Sequence, residues 1–93
     1  MTSRITDKDL KTMVNRINEL TGSPLEYSSI DENGKRRANI GHYCLDSAYG
    51  GVKLVQVMTN GGGIREISSH GFGTKRELYI FMRGMIEALE NAE

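Results

Sequence analysis

Three stretches of this chain carry side chains whose types and spacing could do chemistry. Gly71-Phe72-Gly73-Thr74-Lys75-Arg76 brings two glycines, a hydroxyl and two cations to a predicted helix start, where free amides favour an anion. Capture of a nucleotide or another phosphorylated ligand is the chemistry open to Gly73, Thr74, Lys75 and Arg76, with Tyr49 as an aromatic platform for a base. The segment is not a P-loop, because its glycine spacing differs and no Gly-Lys-Ser or Gly-Lys-Thr follows. The same residues equally make a plain strand-to-helix turn with a good cap, and a tyrosine beside a glycine turn also serves as a half-buried packing residue.

His42, Cys44 and Asp46 alternate, so on a strand they share one face. Residues two apart on one strand sit ~7 Å apart, too far for a direct Cys-His hydrogen bond, and a metal would want three or four ligands. Neither catalysis nor a metal site is expected, and the plain reading is a buried cysteine beside a partly exposed histidine. His70, near Gly71, could join an anion site or stand in solvent. Lys35-Arg36-Arg37 offers a small cationic patch, but twelve basic residues balance twelve acidic ones, which argues against a nucleic-acid coat or a membrane-surface binder. A solvated turn is expected there. Neutrality also removes self-repulsion, so a homodimer is within reach.

Cys44 is the sole cysteine, which excludes an internal disulfide framework and points to a reducing cytoplasm. The charged amino terminus lacks the apolar core of a secretory signal, and no apolar run approaches membrane-spanning length. Nothing in the composition calls for a cofactor.

These residues must be positioned by two helices and the strands between them. Leu78, Phe81, Met82, Met85, Ile86 and Leu89 recur at helical spacing from Thr74 to Leu89, and Thr-Lys-Arg-Glu at 74–77 forms a capping box. Thr6 caps an earlier helix whose stripe is Leu10, Met13, Val14, Ile17 and Leu20, and Thr21-Gly22-Ser23-Pro24 stops it. Between them the period falls towards two. Leu25 to Ile30 and Lys35 to Ala38 read as a strand pair around Asn33-Gly34, followed by strands over Asn39 to Asp46, Val52 to Met58 and Ile64 to Ser68. Val52 to Met58 is the most β-prone of these and is placed centrally. The three glycines at 61–63 are conformationally costly and imply that geometry or a close backbone approach uses them.

At 93 residues the chain makes one domain. The expected fold is α+β: an antiparallel sheet of three to five short strands, flanked in sequence by an N-terminal and a C-terminal helix packed on one face.

Leu20-Thr21-Gly22-Ser23-Pro24, Ala38-Asn39-Ile40-Gly41-His42-Tyr43, Ala48-Tyr49-Gly50-Gly51 with Leu54, Gly61-Gly62-Gly63 and Arg76-Glu77-Leu78-Tyr79 cover most of the chain. In these motifs it resembles a family of short accessory proteins of tailed bacteriophages and prophages. The resemblance implies a phage or prophage product acting in the cytoplasm of a bacterial host, and no activity or site residue.

The function expected is therefore binding without catalysis. A protein partner of host or phage origin comes first, engaged through an open sheet face or an exposed edge, with a homodimer as one form. Capture of a nucleotide or phosphorylated ligand at Gly71 to Arg76 is the alternative.

Overall fold

The computed structural model describes residues 4–68 and 71–92, so His70 lies outside the described residues. The elements run α1 (Asp7–Thr21), β1 (Ser28–Ile30), β2 (Arg36–Ala38), β3 (Tyr43–Ala48), β4 (Gly51–Val57), β5 (Ile64–Glu66) and α2 (Lys75–Asn91), an α+β architecture. Both helices begin with a reciprocal cap. Thr74 Oγ1 accepts from the Glu77 amide at 3.0 Å while the Glu77 carboxylate accepts from the Thr74 amide at 2.8 Å. Thr6 and Asp9 repeat the arrangement on α1 at 3.2 and 2.9 Å. Such boxes satisfy amides that the first helical turn leaves without a partner. Helix α1 stops at Gly22, whose φ of 70° lies in the left-handed region; the Ser23 amide then donates to the Asn18 carbonyl at 2.9 Å.

The five strands divide into two sheets. β3, β4 and β5 form an antiparallel sheet with β4 in the centre, and β1 pairs with β2 as a separate two-stranded hairpin. The division falls where a strand from Asn39 was expected. There the chain turns instead, with Gly41 at a φ of 98° and the His42 amide donating to the Asn39 carbonyl at 3.2 Å, so β3 starts only at Tyr43. In the main sheet Leu45 stands opposite Leu54, and Val57 opposite Ile64.

Leu10, Val14 and Ile17 of α1, Leu78 and Met82 of α2, and Val52 and Leu54 of β4 make one core. Val52 and Leu54 alternate along β4 and so point to the same side of the sheet. Each side chain of this kind contributes roughly 1.5–3 kcal/mol when fully buried, which is why two individually marginal helices hold here. An exposed ion pair, Arg16 to Glu90 at 3.1 Å, links the helices outside the core. Asn18 is the one polar helix residue fully buried among these groups. Its Nδ2 donates to the Tyr43 carbonyl at 3.0 Å and its Oδ1 accepts from the Tyr43 amide at 2.8 Å.

Candidate functional site

The β3–β4 connection has only two residues outside the closing pair Ala48 and Gly51. Tyr49 and Gly50 have φ values of 54° and 74°, the pattern of the turn whose twist matches a hairpin. An L-residue in that region costs ~1–2 kcal/mol, so Tyr49 holds a strained backbone while its side chain is 96% exposed. The expectation of a half-buried packing residue is thus not met. Its ring meets that of Phe72 edge-on, with centroids 5.8 Å apart. Lys53 Nζ sits 4.3 Å from the centroid of Phe72 and 3.4 Å from a carboxylate oxygen of Glu66, whose other oxygen accepts from the Gly71 amide at 2.8 Å.

The segment before α2 is clamped to β4. Val52 and Gly73 exchange backbone hydrogen bonds at 2.9 and 3.0 Å. A β-carbon on Gly51 would lie 2.8 Å from the Phe72 carbonyl oxygen, so only glycine lets the two backbones approach this closely. In this way the fold brings Tyr49 beside the turn that carries Gly73, Thr74, Lys75 and Arg76.

At the helix start, the place of an external anion is held by the chain's own carboxylate. Glu77 caps the Thr74 amide, and its Oε1 lies 2.9 Å from where a β-carbon of residue 73 would stand. Lys75 pairs with Asp7 of α1 at 3.2 Å, on the surface. Arg76 is exposed.

His42 and Cys44 exchange the burial expected of them. The histidine is buried, with Nδ1 2.8 Å from the Pro24 carbonyl oxygen and its ring edge-on to Tyr27, whereas Cys44 is only half-buried. A carbonyl only accepts, so Nδ1 carries the hydrogen. Burial first, then the charge of Asp46, pushes the Cys44 thiol above its ordinary pKa, which leaves little thiolate to react at neutral pH. Among the described residues no group of three His, Cys, Asp or Glu could hold a metal ion, and no helix is long and apolar enough to cross a membrane.

Two of the three cations in the run, Arg36 and Arg37, are used inside its hairpin. Arg37 Nε donates to Asp31 at 3.0 Å and Arg36 donates to Ser28 Oγ at 3.0 Å. The other Asp31 oxygen accepts from the Asn33 and Lys35 amides at 2.9 and 3.0 Å. The Lys35 amide and the Arg37 guanidinium hold the Asp31 carboxyl below its usual range.

Around this hairpin the apolar side chains turn outward. Leu25, Tyr27, Ile30, Ile40, Met58 and Ile64 are all exposed. They come from two segments that the Ala38 amide ties together through the Asn60 carbonyl at 3.0 Å, and that meet again where Tyr27 lies against Gly62. An open depression of about 570 Å³ borders Ile40, lined also by Pro24, Ala38 and Asn60 with the Asp31–Arg37 pair at its side.

Phe72, Lys53 and Asn18 are the residues that spacing alone does not single out. Lys53 inside the most β-prone run, and Asn18 inside an apolar helical stripe, were the available signals, since a polar residue in such a place needs a partner. No family model, curated protein or solved structure matches the chain.

Proposed function

We propose that the chain is a non-catalytic protein-binding domain, an accessory protein of a tailed phage or prophage that docks on a host or phage protein in the bacterial cytoplasm. The observation that carries this reading is the gathering of six exposed large apolar side chains around the β1–β2 hairpin. Large apolar side chains left exposed on linked segments are a resource for a protein that binds another. A formal net charge of zero leaves self-association through the same surface open, as the homodimeric form of the reading.

Phosphate capture at Gly73 to Arg76 draws less support, because Glu77 occupies the helix start and Lys75 is paired with Asp7. The test is affinity capture from bacterial lysate with three baits: the native chain, Ile30→Ser/Ile40→Ser and Lys75→Ala/Arg76→Ala. One defined partner held by the first and third baits and lost by the second is expected. A rise in melting temperature with nucleotides that disappears in Lys75→Ala/Arg76→Ala would overturn it in favour of ligand capture.

A further inference from the structure

We propose that the outer edge of β3 accepts an extended, acidic segment of a partner protein as an added strand. The proposal rests on the reading of the chain as a protein-binding domain and gives that domain a second surface, with a defined kind of occupant.

The hairpin fixes which backbone groups face the edge. Its closing pair is Ala48 and Gly51, so Ala48, Asp46 and Cys44 exchange hydrogen bonds with β4, while Tyr43, Leu45 and Ser47 turn their N–H and C=O groups away from it. The bond from the Val57 amide to the His42 carbonyl at 2.9 Å follows the same alternation. At Tyr43 both outward groups are already satisfied by the buried amide of Asn18, one donor and one acceptor on a side chain imitating one rung of a neighbouring strand. The next two rungs, at Leu45 and Ser47, have no such partner among the described residues. They repeat every ~6.8 Å, the interval at which an extended backbone offers its own N–H and C=O groups.

Helix α1 stands beside the Leu45 rung and makes that part of the edge a groove. Lys11, Val14 and Asn15 face Tyr43 and Leu45 across a space of about 310 Å³. Val14 and Leu45 suit an aliphatic side chain of the incoming strand, and Lys11 at the rim suits a carboxylate. A second copy of this chain fits less well. Lys8 and Lys11 are three residues apart and share a helix face, and two-fold pairing of β3 with its own copy sets that basic face against itself.

The direct readout is amide hydrogen exchange, followed residue by residue by nuclear magnetic resonance, in the intact protein. The probe is a blocked heptapeptide of alternating glutamate and valine at millimolar concentration. The Leu45 and Ser47 amides, fast in the free protein, should slow by roughly tenfold or more on saturation, since each gains a backbone hydrogen bond. The same peptide N-methylated at alternate residues should have no effect. Ser47→Pro removes an outward donor without touching the β3–β4 ladder and should abolish the slowing. Lys11→Glu, which leaves the backbone untouched, should weaken probe binding by up to about fivefold. Unchanged exchange at Leu45 and Ser47 overturns the proposal, as does slowing that appears without probe and grows with protein concentration, which would mark a second copy at the edge. Neither outcome bears on capture by the Ile30 and Ile40 surface, so failure of the edge and failure of the binding reading remain separable.

Discussion

Around Ile17, Leu54 and Leu78 the chain is held by burial, with none of the three more than 1% exposed. Around Tyr27 and Ile30 the same kinds of side chain face outward, and polar bonds hold the chain instead: Asp31 across its turn, Arg37 to Asp31, and Ala38 to Asn60. A two-stranded hairpin is marginal by itself, and with only Ala38 of its strands buried the β1–β2 unit is held largely by hydrogen bonds, while Tyr27 and Ile30 stay exposed. On the proposed reading, the contrast assigns stability to the core and adhesion to the hairpin. Substitutions should therefore move one property with little effect on the other.

The sharpest way to break that contrast is to truncate one residue on each side. Leu54→Ala in the core should cost ~2–5 kcal/mol, while Ile30→Ser on the hairpin should stay within ~0.5 kcal/mol, both read from urea unfolding. Comparable losses from the two would show that the hairpin face is part of the core after all. A smaller effect should come from acid. The Asp31 carboxyl is held below its ordinary range when folded, so the stability it contributes is complete above the unfolded value of about 4 and is lost as pH falls through the lowered folded value. Exchange protection of the Asn33 and Lys35 amides should fall in that acid window, with the core amides of β4 unmoved, and Asp31→Asn should remove the pH dependence. The smallest change concerns the other hairpin. Tyr49→Asn puts a residue that tolerates the left-handed region where tyrosine is strained, and should stabilise the protein by under ~1 kcal/mol in the same urea assay, net of the lost contact with Phe72. A destabilised variant would mean that the Tyr49–Phe72 contact outweighs the backbone strain.

What was legible in the sequence follows the range of the interactions. Both helix starts could be read because a capping box joins residues three apart, and the glycine stop at Gly22 is equally local. The central place of β4 followed from its run of β-branched residues. The strands of the hairpin and β3 were read too long at their beginnings: Leu25 to Tyr27 are β-prone in composition but lie outside the ladder, and at Asn39 to His42 the turn takes the His42 amide to the Asn39 carbonyl. Separation into two sheets depends on the turn at Gly41, a pairing decision that no short window contains. At the candidate site, the Thr74 cap was visible in four residues. That Tyr49 meets Phe72, that Lys75 reaches Asp7 and that Asn18 closes one rung of β3 all join positions far apart in the chain.

The core joins the first helix to the last. Leu10 and Ile17 find their place only when Leu78 and Met82 have arrived, and Arg16 meets Glu90 across 74 positions of chain. During synthesis at roughly 5–20 residues per second, the apolar stripe of α1 must therefore wait several seconds for α2. For that interval Leu10, Val14 and Ile17 lack their partners on α2, and this core can close cooperatively only once α2 has been made.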